Sequence, residues 1–241
     1  MKYMGSKRRI AKYILPYILQ GRSKNQWYIE PFVGGANIID KVKGKRLGSD
    51  INNYLIEALK AIQDGWLPPM KITEEEYYDI KKNKDNYPDY FVGYVGFTMS
   101  FGAKWFDGYA KGDNRDYAKQ AFKSTKKQAT KLKDIIFKTC EYNELETPPN
   151  SIIYCDPPYK GTKEYKNKKF NHDKFWEWCR KKVKEGHKVF ISEYNAPPDF
   201  ICIWEKKVKI TTSLDNYKTS IEKLFQHKSQ VIKREKQSLL F

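Results

Sequence analysis

The chain is poor in the residues that build metal and disulfide sites. It has four cysteines, Cys140, Cys155, Cys179 and Cys202, with no CxxC pair, and three histidines, His172, His187 and His227, far from ligand spacing. A zinc site or a disulfide framework is therefore not expected, and the cysteines read as small buried residues. No apolar run reaches the length of a membrane-spanning helix. The opening MKYMGSKRRI has charge but no apolar stretch behind it, unlike a signal peptide. A cytoplasmic protein, with no membrane and no metal, is the expectation. Acidic residues are also scarce, 29 against 46 Lys and Arg, leaving a net charge of +17 over 241 residues. Such an excess points to a polyanionic partner, nucleic acid first. Neither internal repeats nor low-complexity tracts occur. The 40% hydrophobic content is enough for a core, which excludes a wholly disordered chain.

What is present has an α/β rhythm. Apolar residues at Ile10, Ile14 and Ile18 share one helical face. Residues 26–30 form a short strand candidate that runs into Pro31-Phe32-Val33-Gly34-Gly35-Ala36-Asn37 and then into an expected helix from Ile38. Residues 45–49 form a second strand ending at Asp50, and a helix is expected over 51–63. This βαβα start predicts a doubly wound parallel sheet. The rhythm breaks over residues 64–114. A helix is expected over 115–138, with Ala118, Ala121, Thr125, Leu132 and Ile136 on its apolar stripe and lysines elsewhere. Strands return at 151–155 and 187–192, and 203–211 with 222–227 can close as a hairpin. Residues 64–138 thus read as an insertion, mainly helical, in a discontinuous domain made of 1–63 and 139–241.

Two constellations carry chemistry. Glycines after a first strand allow close backbone approach to a ligand. Asp50, at the end of the second strand, can accept hydroxyl protons from a ribose. The pair points to a nucleoside cofactor, without the three-glycine spacing that favours dinucleotides. The second is Asp156-Pro157-Pro158-Tyr159, directly after Ile152-Ile153-Tyr154-Cys155. Prolines stiffen the chain where a parallel strand ends, so the Asp156 carboxylate and the Pro157 carbonyl become two fixed acceptors. An exocyclic amine has two N–H donors to match them. Tyr159 adds an aromatic face for a base taken out of its stack.

Four ordered motifs resemble the Dam-type, α-class DNA adenine methyltransferases. They are Lys2-Tyr3-Met4-Gly5-Ser6-Lys7, Pro31 to Asn37, Asp50, and Asp156 to Tyr159. The resemblance spans nearly the whole chain. It implies a Rossmann-like sheet dependent on S-adenosylmethionine, with residues 64–138 as the target-recognition domain and double-stranded DNA as the partner. It implies that Tyr3, Lys7, Phe32, Gly34, Asp50 and Asp156 line the cofactor pocket. Cys140-Glu141-Tyr142 matches the segment beside the cofactor adenine, and Glu222-Lys223-Leu224-Phe225 resembles the family's final strand. Ala36 or Asn37 stands where the family carries a third glycine. The segment from Ser100 to Tyr109 departs from the asparagine- and arginine-rich segment of the enzymes that methylate GATC. The residues name neither a target site nor a companion restriction enzyme.

For DNA contact the expected residues are Lys104, Asn114 and Arg115, as donors to base edges. Lys119, Lys123, Lys160 and Lys163 are expected on phosphates, with Lys126, Lys127, Lys166, Lys168 and Lys169 beside them. Phe101, Trp105, Phe106 and Tyr109 are expected to wedge or stack, or to form the insertion's own core. Three other readings share parts of this pattern. One is a methyltransferase for cytosine amino groups or for RNA. Another is an inactive nucleic-acid-binding relative, against which the intact Asp50 and Asp156 argue. A nicotinamide dehydrogenase lacks its pyrophosphate loop here.

Overall fold

The structure is a computed structural model and describes residues 1–112, 115–161, 170–211 and 217–231, with side chains set aside at 209–211, 217 and 218. In chain order the elements are α1 (Ala11–Ile18), β1 (Tyr28–Glu30), β2 (Arg46–Asp50), α2 (Asn53–Gln63), α3 (Glu74–Lys82) and α4 (Asp89–Thr98). They continue with α5 (Tyr117–Leu132), β3 (Ile135–Thr139), β4 (Ile152–Cys155), α6 (His172–Lys184), β5 (Lys188–Ser192), β6 (Phe200–Thr211) and β7 (Tyr217–His227). The expected α/β class is observed. No helix among the described residues is long and apolar enough to cross a membrane, and none of their side chains cluster as a metal site.

The chain divides into two compact units. Unit 1 comprises Met1–Ala11 and Pro31–Leu145; unit 2 comprises Lys12–Glu30 and Glu146–Phe241. Residues 64–138 fall wholly within unit 1, together with the glycine turn and Asp50.

In unit 1, β2 and β3 pair in parallel, from Arg46 opposite Ile135 to Asp50 opposite Thr139. Helix α2 starts where the Asn52 side chain accepts the Leu55 N–H at 3.0 Å. It buries Leu55, Ile56, Leu59 and Ile62 on one face. Helix α4 lies tightly on it: a methyl group at Gly93 would sit 1.8 Å from the Tyr54 carbonyl oxygen, so only glycine fits. Helix α3 opens with a capping box between Thr73 and Glu76, which satisfies two otherwise orphaned N–H groups. Helix α5 is capped by Asp116 through the Lys119 N–H.

Two local expectations are corrected here. After the glycine turn there is no α-helix, only a single 3-10 turn at Ile39–Lys41. Val42 is already extended and Gly44 is left-handed at φ +81°, so the chain turns straight into β2. Ile136 does not belong to the helix. Helix α5 stops at Leu132, Asp134 is left-handed, and Ile136 sits exposed on β3 between buried Ile135 and Phe137. The Arg46 guanidinium donates to the Lys131 and Lys133 carbonyls at 2.9 and 2.5 Å, satisfying the helix end.

In unit 2 the strand order is β1-β4-β5-β7-β6. Strand β4 pairs in parallel with β1 and β5, and β7 runs antiparallel to β5 and to β6. The closing hairpin therefore forms as expected, with β6 beginning at Phe200. All four residues of β4 are buried, as a central parallel strand requires. The first turn of α6 is capped by the Asn171 side chain, which accepts the Lys174 N–H. Phe175, Trp176, Trp178 and Cys179 form its buried face.

Candidate active site

The glycine turn in unit 1 is held from several directions. Val33 donates to the Ser49 carbonyl at 2.8 Å, so the turn leaves from beside the end of β2. Gly34 is left-handed at φ +49°. A methyl group there would meet the Tyr3 ring at 2.8 Å. The N-terminal segment is thus packed onto the turn, and the Tyr3 ring in turn rests on Phe97 at 5.1 Å. Ala36 is also left-handed, at φ +55°. That is a strained backbone for alanine, costing on the order of 1–2 kcal/mol.

Asp50 completes this cradle. One carboxylate oxygen accepts the Gly34 N–H at 3.2 Å and the other accepts the Asn52 N–H at 3.1 Å. Burial outweighs these amide bonds and raises the Asp50 pKa to about 6. A carboxylate offers about four lone-pair sites, which leaves room for a hydroxyl donor beside the amides. The Cys140 N–H donates to the Asp50 carbonyl at 3.2 Å, which sets Cys140-Glu141-Tyr142 next to it. Phe32 and Tyr142 stack with centroids 5.3 Å apart and planes 29° apart. Unit 1 therefore brings together Tyr3, Phe32, Gly34, Asp50, Cys140 and Tyr142. Glu141 lies between Cys140 and Tyr142 and is partly buried, as is Lys7 in the 3-10 turn Lys7–Arg9. A partly buried carboxylate with free lone pairs, set beside a glycine turn and a stacked aromatic pair, suits a nucleoside cofactor, so these residues fit one.

The Asp-Pro-Pro-Tyr loop in unit 2 follows β4 directly. Asp156 is partly buried, Pro157 buried and Pro158 exposed. The Tyr159 ring is 9% exposed. Its hydroxyl donates to Glu222 at 3.3 Å, and its ring meets the edge of Tyr194 at 4.7 Å. Burial first, then the carboxylates Asp156, Glu222 and Glu193, push that hydroxyl well above the usual phenol range. It stays a donor. A base stacking on this ring requires the covering groups to shift.

Two residues of this neighbourhood were missed in the sequence. Glu193 is buried and accepts the Lys160 N–H at 3.2 Å and the Tyr194 N–H at 2.7 Å. It ties the end of β5 to the loop after Tyr159. Glu193 and Tyr194 also line a cavity of about 100 Å³ with Lys160, His172, Trp176 and Asn195. The available signal was position: Ser192-Glu193-Tyr194 ends a parallel strand, where ligands bind in such sheets.

The expected DNA residues scatter more. Lys119 and Lys123 lie exposed on α5, with Lys126 and Lys127. Arg115 and Lys160 are exposed. Lys104 is half-exposed and paired with Asp107 at 3.3 Å. Asn114, Lys163, Lys166, Lys168 and Lys169 lie outside the described residues. Of the four aromatics, Phe106 is buried, Trp105 packs on Phe97 at 4.8 Å, and the Tyr109 hydroxyl donates to the Ile72 carbonyl. Phe106 thus belongs to the core of unit 1, Trp105 and Tyr109 are half-buried at its edge, and Phe101 alone of the four is openly exposed, at 66%.

No curated protein sequence matches the chain. A solved structure, SMU.472 complexed with SAH, is 12% identical over 92% of this chain and 52% of its own, with a TM-score of 0.35. This chain thus spans about half the length of that relative, and the superposition is too loose to bear on function. The family model for D12 class N6 adenine-specific DNA methyltransferases matches residues 3–95 and 98–237. With nearly the whole chain matched, the protein belongs to the D12 class N6 adenine-specific DNA methyltransferase family.

Proposed function

We propose that the protein methylates the exocyclic amino group of adenine in double-stranded DNA, with S-adenosylmethionine as donor and the target base flipped from the duplex. The observation that carries this reading is the position of Asp156-Pro157-Pro158-Tyr159 at the carboxyl end of the fully buried strand β4. When bound, the cofactor supplies a methyl group already activated by its sulfonium. The chain's task is to position the amine and to accept charge as it develops.

In this reading the Asp50 carboxylate accepts a ribose hydroxyl, Phe32 and Tyr142 contact the cofactor adenine, and Tyr3 and Gly34 shape the turn. Lys7, Cys140 and Glu141 border the same site. Asp156 also contacts the cofactor. The Asp156 carboxylate and the Pro157 carbonyl accept the two N–H groups of the target amine, favouring a pyramidal nitrogen. Tyr159, oriented by Glu222 and Tyr194, holds the base. Lys119, Lys123, Lys160 and Lys163 meet phosphates, while Lys104, Asn114 and Arg115 read base edges from the segment 64–138, the target-recognition part.

The test is incubation with methyl-labelled S-adenosylmethionine and plasmid DNA, followed by nucleoside analysis. Label in N6-methyladenine is expected. Label in N4-methylcytosine, label only with RNA, or no label overturns the reading.

A further inference from the structure

Helix α5 carries one residue that its lysine-rich surface does not explain. Gln128 is 5% exposed and faces inward, opposite the lysines. Its amide nitrogen lies 3.1 Å from the Gly35 carbonyl oxygen, 3.1 Å from that of Ala36 and 3.2 Å from an Asp40 carboxylate oxygen. The other Asp40 oxygen takes the Lys41 ammonium at 2.6 Å. Three acceptors thus converge on one amide nitrogen. The Gln128 side-chain oxygen has no partner among the described residues. The amide orientation follows from this: flipping it would set a carbonyl against three oxygens.

The consequence is local and geometric. A peptide unit is planar, so fixing its carbonyl fixes its plane. The two Gln128 bonds therefore set the peptides that follow Gly35 and Ala36. Ala36 is the left-handed residue of the turn, a conformation that persists only where its surroundings over-determine it. At the start of the turn Asp50 accepts the Gly34 N–H. The turn is clamped on an N–H at one end and on two carbonyls at the other.

We propose that Gln128 is a positioning residue for the cofactor: from within the inserted segment it holds the Gly34–Ala36 turn in the shape that binds S-adenosylmethionine. This rests on the reading that the turn is the cofactor site. The segment placed between the two motifs then serves the cofactor turn as well as any role toward DNA.

The test is calorimetric binding of S-adenosylhomocysteine to purified full-length variants, with thermal melting recorded alongside. Gln128→Leu keeps the volume and removes the donors, and should weaken binding about tenfold, the scale of one to two lost buried hydrogen bonds. Gln128→Lys restores a donor facing the three acceptors and should bind within about threefold of the parent. Asp50→Asn serves as the control for the cofactor reading. If Asp50→Asn weakens binding and Gln128→Leu does not, the Gln128 inference alone falls. If neither changes binding, the turn is not the cofactor site and both fall. A lysine variant as weak as the leucine variant means packing rather than donation, which also overturns it. Should Gln128→Leu not fold, Gln128→Asn, polar but one methylene shorter, carries the same test: weakened binding supports the inference and unchanged binding rejects it. In turnover, the parallel expectation is a raised KM for the cofactor with kcat nearly unchanged.

Discussion

The glycine turn of unit 1 and the Asp-Pro-Pro-Tyr loop of unit 2 are built in opposite ways. The turn has little side-chain bulk of its own and is shaped by distant residues: Tyr3 over Gly34, Asp50 on its N–H, Gln128 on its carbonyls. The loop carries its stiffness in two prolines and anchors its last residue through Glu222 and Tyr194. A site made from hydrogen bonds across the chain is adjustable and titratable. A site made from ring constraints and burial is rigid, and its polar groups are few and exposed to large penalties on removal.

That contrast is sharpest in turnover. Asp156→Ala should lower kcat by a factor of at least ~10², the scale of losing one preorganised polar group, while DNA affinity in a filter-binding assay stays unchanged. A variant of near-normal turnover would end the acceptor assignment. Next in size is Tyr159. Removing a buried ring costs roughly 3–5 kcal/mol of stability, so Tyr159→Ala should melt well below Tyr159→Phe and lose more activity. Phe sacrifices only the bond to Glu222, about 1 kcal/mol. Equal losses for both would mean that the hydroxyl, not the ring, matters.

Asp50 should give a smaller and pH-dependent effect. Asp50→Ala should weaken cofactor binding by roughly 1–3 kcal/mol. In the parent, Asp50 is raised from 3.8 to about 6 by burial. The charged form accepts a hydroxyl best, so cofactor affinity should be flat above pH 7 and fall as pH drops through about 6. Its effect on folding has the opposite sign. A raised carboxyl pKa means that the folded chain binds the proton more tightly, so this contribution is full below pH 3.8 and lost as pH rises through about 6. Calorimetric titrations across pH 5 to 8, with melting curves at the same points, separate the two. An affinity independent of pH would reject the ribose role.

The smallest effect belongs to the surface. Neutralising Lys119 or Lys123 should reduce the slope of log affinity against log salt by about 1, with cofactor binding intact. An unchanged slope would mark α5 as a solvated face.

Much of this was legible in the chain, for reasons that are local. The strands at 152–155 and 188–192, the helix over α2 and the Asp156–Tyr159 motif follow from side-chain period and turn residues within a few positions. Asp50 was legible from its place at a strand end. Ile136 was misread because its spacing also fits the stripe of α5; the left-handed Asp134 and the Arg46 cap on the helix end decide against the helix.

By itself, the sequence determined the alternation of strands and helices, the positive surface and the two motifs, because each is written in neighbouring residues. Only tertiary structure decided that Gln128 holds the carbonyls of Gly35 and Ala36, that Glu193 ties the end of β5 to Lys160, and that Phe106 is core while Trp105 packs on Phe97 and Tyr109 bonds the Ile72 carbonyl. Those partners stand up to 93 residues apart. A hydrogen bond or a ring contact needs two groups within a few ångströms, and no residue pattern along the chain encodes which distant segment will supply the second one.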